Sequence, residues 1–271
     1  MKKWGILFVA LMMVTSVLAA CGNNKSNSNS TEGSQGANNT AAKKLIVGMS
    51  ADFPPYEFHI KNDKGEDEIA GFDVEIAKEI AKDLNMQVEI KDMKFESLLN
   101  ELESGRVDLV ISGLSPKPER LKQIDMSQIY YKAEQSIVSR TEDKDKYTTM
   151  ESLEGLKIGV QKSSIQEDIA KEIPNAKLTS LSKISEIVMQ LTSGRVDVAV
   201  LEGPVAASFV KKVDGITITD AKPVTEDEGY VVGVKKGNKE MLDQVNATLD
   251  RLLSDGSIDK FVTEASELAE K

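Results

Sequence analysis

The sequence predicts an α/β fold of two similar lobes, and three observations carry that prediction. Apolar strand-like runs alternate with amphipathic helical stripes from Leu45 onward. The pentapeptide S-G-R-V-D occurs twice, at 104–108 and 193–197, an offset of 89 residues. The flanks match as well: Phe95, Leu98, Leu99 and Leu102 precede the first copy at helical spacing, as Ile184, Ile187, Val188 and Leu191 precede the second. A chain of 271 residues has room for two lobes of about 100 residues, each with its own core.

In both copies a glycine, Gly105 or Gly194, reads as the left-handed stop of a helix, and a buried strand follows. The first of these strands covers Val107 to Ile111. The loop Ser112 to Lys117 then leaves the carboxyl end of that strand and enters a helix opened by Pro118, whose missing N–H costs nothing at the first helical position. Loop amides, the helix dipole and the Arg120 guanidinium converge there on one anion, which reads as a carboxylate clamp. The offset places Glu202 where Gly113 stands, and Pro204 opens a helix after it.

Before Leu45 the composition changes. Lys2 and Lys3 precede an apolar stretch from Trp4 to about Val17, too short for a membrane span, which ends in Leu18-Ala19-Ala20-Cys21. Residues 1–20 read as a signal peptide. Cys21 is the single cysteine, so an exported chain has no disulfide to form. Leu-Ala-Ala-Cys resembles a bacterial lipobox, which implies cleavage before Cys21, lipidation of its sulfur and a membrane anchor on the extracellular face, of the Gram-positive kind. Residues 21–44 are then the lipidated cysteine and a polar, flexible tether with a reach of roughly 25–30 Å.

Acidic residues outnumber basic ones, 44 against 34, and loss of Lys2 and Lys3 takes the net charge from −10 to −12. This argues against a nucleic-acid partner. One histidine and one cysteine cannot build a usual transition-metal site, and no glycine pattern cradles phosphate, so no cofactor is expected. His59 is read in a solvated loop and Asp63 to Glu68 as a charged loop tip.

After the first strand, Ser50 to Phe58 carries Pro54 and Pro55, which prevent helix and present Phe53 and Tyr56. Asp73 is read as the N-cap of a helix with Val74, Ala77, Ala81 and Leu84 buried, and Val88 to Ile90 as the second strand. The sheet is expected to be parallel. Asp125 to Arg140 is extended, with the first crossing between lobes at Ile137 to Thr141. A new strand opens at Leu156, the return crossing lies near Thr225 to Gly229, and Tyr230 to Val234 is a strand followed by two helices. This gives lobe 1 as 45–139 plus 228–271 and lobe 2 as 140–227. Two crossings make a hinge that permits closure on a ligand.

Ser50 to Phe58, Gly71 to Glu75, Ser112 to Arg120 with Asp125-Met126-Ser127, Gly159 to Glu167 and Asp197 to Ala207 stand in the order and spacing of the polar amino-acid solute-binding proteins of ABC importers. The chain after the tether resembles that family, family 3 of the solute-binding proteins. The resemblance implies two Rossmann-like lobes of the type II periplasmic binding protein kind on a two-strand hinge. It implies capture of a polar, possibly basic, amino acid by a monomer that works with an ABC permease and ATPase. Position by position, Arg120 resembles the arginine that grips the ligand α-carboxylate, Ser115 offers amide and hydroxyl, and Ser164 and Ile165 add backbone N–H groups from lobe 2. Gly113 would give its carbonyl, and Glu202 its carboxylate, to the α-ammonium, while Phe53 and Phe95 would sandwich the side chain.

The chain departs from the family pattern where Glu202 replaces a shorter aspartate, Ser163 stands where glycine is common and Ile165 replaces a hydroxyl residue. Ser50 stands where binders of basic amino acids carry an aspartate, with Asp52 and Glu57 close by, so arginine and lysine stay open. A surface sensor and a dehydratase on the same fold are the alternatives. Dehydratase chemistry needs a general acid or base in the cleft, and no histidine or cysteine is paired with a carboxylate at a suggestive place, so no enzyme is expected.

Overall fold

The computed structural model describes residues 43–223 and 229–271. The predicted signal peptide, Cys21, nearly all of the tether, and residues 225–228 of the expected return crossing lie outside the described residues.

β1 (Lys44–Met49) leads into a small antiparallel sheet of β2 (Asp52–Phe53), β3 (Glu57–Lys61) and β4 (Asp67–Ala70). Helix α1 (Phe72–Asp83) and β5 (Gln87–Asp92) follow, then a 3₁₀ turn at Phe95–Ser97 running into α2 (Leu98–Glu103). β6 (Leu109–Val110), the short α3 (Pro118–Gln123), β7 (Ile124–Tyr131) and β8 (Gln135–Arg140) complete the first half. The second half runs β9 (Lys157–Gln161), α4 (Ile165–Glu172), β10 (Lys177–Leu181), α5 (Ile184–Thr192), β11 (Val198–Glu202), α6 (Gly203–Lys212) and β12 (Ile216–Ile218). The chain ends with β13 (Tyr230–Lys235), α7 (Lys239–Ser254) and α8 (Ser257–Ala269).

Two five-stranded sheets result, ordered β5-β1-β6-β13-β7 and β10-β9-β11-β8-β12. In each, three parallel strands are followed by two in antiparallel pairing, so the sheets are mixed rather than purely parallel. The antiparallel pair arises because each lobe takes its outer strands from the segments that cross between lobes.

The repeated pentapeptide does the same structural work twice. Gly105 and Gly194 have φ of 74° and 71°, and their amides close the preceding helix on the carbonyls of Leu102 and Leu191, each at 3.1 Å. The following aspartates, Asp108 and Asp197, accept from the backbone amides of Ile46 and Lys157, both at 2.8 Å. Each aspartate thereby ties the start of one strand to its neighbour in the sheet, which fixes register where the ladder alone is short. The valines and leucines of these runs fill the cores: Val47, Ile80, Leu109 and Leu249 in one lobe, Ile158, Val160, Leu191 and Val198 in the other, all fully buried. Burial of each such side chain contributes about 1.5–3 kcal/mol.

Four further expectations change. β8 belongs to the second sheet, so the first crossing is at 132–134, ahead of the expected Ile137–Thr141 and the expected lobe boundary at 139/140. Extended sequence looks the same on both sides of a hinge, and only strand pairing assigns it to a lobe. The strand expected over Val107–Ile111 pairs only at Leu109–Val110. Asp73 is not the cap of α1. The first helical amides, of Phe72 and Asp73, donate to the carbonyls of Pro55 and Tyr56 at 3.1 and 3.0 Å, so the loop itself caps the helix. His59 lies on β3, where Asp67 and Asp92 flank its ring at 2.7 and 3.3 Å.

Candidate ligand-binding site

Between the two sheets lies a narrow cleft, with about 310 Å³ of non-protein space that includes what opens to solvent. Lobe 1 contributes Ser50, Phe53, Phe95, Ser112, Gly113, Ser115 and Arg120; lobe 2 contributes Gln161, Ser164, Ile165 and Gln166. The lining thus comes from the carboxyl ends of β1, β6 and β9 and from the helices they lead into, the usual place for a ligand in an open α/β sheet.

Arg120 is the one charged side chain among the described residues of this lining, and it is only 6 % exposed. α3 is short and starts at Pro118, which brings Arg120 into its first turn, facing the loop that precedes it. Nη1 donates to the carbonyl of Ser115 at 2.8 Å, Nη2 donates to the carbonyl of Ser163 at 2.8 Å, and the guanidinium lies 5.5 Å from the Phe95 ring centre. These contacts fix the plane of the fork. A buried, oriented cation in an otherwise neutral lining is complementary to one anionic group.

On the lobe 2 side Ser164 caps α4, accepting from the amide of Glu167 at 3.2 Å and donating to the carbonyl of Gln161 at 2.7 Å, and Ile165 is the first helical residue. Ser163 holds a φ of 64° without being glycine, which accounts for glycine at this place in the family pattern. Phe53 packs its ring 4.9 Å from that of Tyr56 and lies over Gly113, whose φ is 51°. A Cβ at Gly113 would stand 2.7 Å from the Phe53 ring.

Of the eight side chains expected in the site, seven line this cavity: Phe53, Phe95, Gly113, Ser115, Arg120, Ser164 and Ile165. Glu202 does not appear in its wall. Its Oε2 caps α6, accepting from the amide of Val205 at 3.0 Å, and its Oε1 accepts from the hydroxyl of Tyr56 in lobe 1 at 2.6 Å. Sequence reasoning singled out Ser50 as the place where binders of basic amino acids carry an aspartate, and it did not assign Ser112, Gln161 or Gln166 to the site. Gln161 was detectable, since it ends the strand equivalent to β1, whereas Gln166 is placed by a nonlocal bond to Oε1 of Gln135 at 2.7 Å.

The lobes meet around this cavity. Besides Tyr56 and Glu202, Ser182 donates to Glu96 at 2.7 Å, and Lys117, the residue before α3, donates to the carbonyl of Ser164 at 3.1 Å and pairs with Asp168. Asp52 of lobe 1 accepts from the amide of Ile184 at 2.5 Å and so caps α5 of lobe 2, whose own N-cap residue, Lys183, supplies no side-chain bond. Burial lifts the Asp52 carboxyl to about 6, against the opposing pull of the α5 amides. With the lobes apart this carboxyl returns to water and its ordinary value, so closure takes up a proton. Closure is therefore most favoured below about pH 4 and weakens as pH rises through 6. Ligand affinity should fall about tenfold or more over that window through this carboxyl, and Asp52→Asn should flatten the fall; calorimetry from pH 4 to 7 checks this.

The comparisons with known proteins agree with this geometry. The model of the bacterial extracellular solute-binding proteins, family 3, matches residues 45–264. The chain is 40 % identical to the arginine-binding extracellular protein ArtP of Bacillus subtilis over 267 residues, covering 96 % of each chain. It is similar to the L-arginine-bound crystal structure of the amino acid ABC transporter substrate-binding protein AbpA from Streptococcus pneumoniae, with a TM-score of 0.82, 36 % identity and coverage of 84 % of this chain and 96 % of that one. It is also similar to the ancestral amino-acid-binding protein AncCDT-1, a precursor of cyclohexadienyl dehydratase, with a TM-score of 0.74, 32 % identity and coverage of 82 % and 94 %. Two mixed sheets, a cavity at their strand ends and a match spanning both lobes place this chain among the bacterial extracellular solute-binding proteins of family 3.

Proposed function

We propose that the protein captures a polar amino acid between its lobes, L-arginine first among the candidates, and delivers it in the closed form to an ABC importer. The observation that carries this reading is Arg120, buried and oriented in an interlobe cavity that offers no other charge among its described lining. An α-carboxylate is the group complementary to it. Ser115 and the start of α4 add hydrogen-bond donors to the same group, and the rings of Phe53 and Phe95 hold the side chain. Charge-assisted bonds of about 1.5–3 kcal/mol each offset the cost of ordering and leave roughly 8 kcal/mol, a micromolar constant.

Arginine is favoured by the names of the relatives and by charge. Asp52, whose amide donates to the carbonyl of Ser50 at 2.8 Å, sets a carboxyl close to that end of the cavity, and its field favours a cationic group there. We further propose that Cys21 carries a lipid anchor, that the protein works as a monomer on the outer face of the membrane, and that it is not an enzyme. The dehydratase precursor that the chain resembles is itself an amino-acid-binding protein, and the single histidine, His59 on β3, sits between the exposed acids Asp67 and Asp92.

The test is a thermal-shift panel of the common amino acids, followed by solution scattering. A ligand at a hundred times its dissociation constant stabilises by about 2.7 kcal/mol, which should raise the melting temperature by roughly 5–10 °C for L-arginine. Saturation should also shrink the radius of gyration as the hinge at 132–134 closes. A panel in which no amino acid shifts the melting point would remove the reading.

A further inference from the structure

Two carboxyl groups outside the described lining of the cavity lie behind its wall. Glu57 and Asp73 are both fully buried, on β3 and in the first turn of α1. Each spends one oxygen on the wall. The hydroxyl of Ser112 donates to Oε1 of Glu57, and the same Oγ accepts from the amide of Ser50 at 3.1 Å. Oδ2 of Asp73 accepts from the amide of Gly113 at 3.0 Å and from the hydroxyl of Tyr130 at 3.0 Å. Each carboxyl has a second oxygen, Oε2 of Glu57 and Oδ1 of Asp73, that is buried and receives no hydrogen from any donor. The two groups are themselves within hydrogen-bond contact.

Two neighbouring buried carboxyl groups, each with an acceptor oxygen that no donor satisfies, are accommodated together by one proton. We propose that Glu57 and Asp73 share a proton, and that the resulting hydrogen-bonded pair is a positioning device that holds Ser50, Ser112 and Gly113 in the wall of the ligand cavity. The inference rests on the amino-acid-binding reading only for the use made of that wall. Without the proton, two anions would face each other in a dry site, and their repulsion would be relieved by moving the Ser112–Gly113 turn that both hold.

Burial is the main force on both groups, raising Glu57 well above the usual carboxylate range and Asp73 to about 7. The charged and titratable groups facing the pair are Asp52, which adds to the rise at Glu57, and Tyr130, which donates to Asp73. Tyr130 is itself pushed well above its ordinary value and stays neutral, and Asp52 has finished titrating by about pH 7. A folded-state value raised above the unfolded one means that the stabilising effect of the proton is present at low pH and lost as pH rises through the neutral range.

Glu57→Gln tests the device, because the amide oxygen can still accept from Ser112 while its NH₂ can donate to Asp73, with no proton left to lose. In the ligand-free wild type, the Gly113 amide resonance should move with pH between about 6.5 and 9, and in Glu57→Gln that movement should disappear. A Gly113 amide that is flat in the wild type, or that titrates identically in both proteins, overturns the proposal. The second arm is calorimetry with L-arginine at about pH 6.5 and 8.5. Glu57→Gln should bind within about threefold of wild type at the lower pH, and at the higher pH the wild type should have lost at least about fivefold relative to the variant. The ligand's own titration cancels in that ratio. A ratio independent of pH, or a variant as weak as Glu57→Ala at both values, counts against the pair as a positioning device. Asp73→Asn, in which the roles of the two side chains are exchanged, guards against a variant that does not fold. Failure of the wild type to bind L-arginine would remove the ligand reading, while the amide titration would still decide the pair.

Discussion

Arg120→Ala is expected to weaken amino-acid binding by at least about a hundredfold. The substitution removes the one charged group in the described lining of the cavity, and with it a pair of charge-assisted bonds worth about 1.5–3 kcal/mol each. What remains is a neutral pocket that receives an anion into a dry space with only neutral donors. The fold should suffer little. The guanidinium bonds to two carbonyls at the edge of the cleft, those of Ser115 and Ser163, and water entering the enlarged cavity can replace it there, so a loss of about 1–2 kcal/mol is expected. Arg120→Lys should fall between, because an ammonium keeps the charge without the planar fork. Calorimetry and urea unfolding on the same samples separate the effects; wild-type affinity in Arg120→Ala would show that the carboxylate is held elsewhere.

The largest effect on stability is expected at Gly71. Its φ is 136°, a conformation open to glycine, and a Cβ there would lie 1.9 Å from the carbonyl oxygen of Tyr56 and 2.9 Å from the amide nitrogen of Glu57. Those are main-chain atoms of the segment that caps α1, so no side chain can rotate aside. Gly71→Ala must displace either the cap or the start of the helix, at a cost on the order of 3–5 kcal/mol. A fall in the urea midpoint of matching size would bear this out, and an unchanged midpoint would contradict the observed backbone path. The same shift would disturb Glu57 and Tyr56, so ligand affinity should fall along with stability.

The parts of this molecule that were legible in the sequence are those fixed by local interactions. The glycine stops at 105 and 194 and the aspartates at 108 and 197 act within a few residues or on the adjacent strand, and so the repeated pentapeptide reported a repeated α/β unit correctly. Arg120 was visible for the same reason, since Pro118 marks the start of its helix. The hinge was placed too late because Gln135–Arg140 pairs with strands 59 and more residues further on, and nothing local distinguishes it from Ile124–Tyr131. Asp73 was misread because aspartate is a common N-cap, which puts the expected helix start after it, whereas the helix starts at Phe72 and the Pro55–Tyr56 segment supplies the caps, which frees the carboxylate to reach Gly113, 40 residues away. Glu202 belongs with these cases. Its bond to Tyr56 spans 146 residues and two lobes, and no spacing within either lobe predicts it.

A crystal structure of the protein grown with L-arginine tests the central claim most directly. The account predicts the ligand between Phe53 and Phe95 with its α-carboxylate about 2.7–2.9 Å from the nitrogens of Arg120 and also within reach of the amides that open α4. An arginine bound with its carboxylate away from Arg120, or bound outside the interlobe cavity altogether, would contradict it.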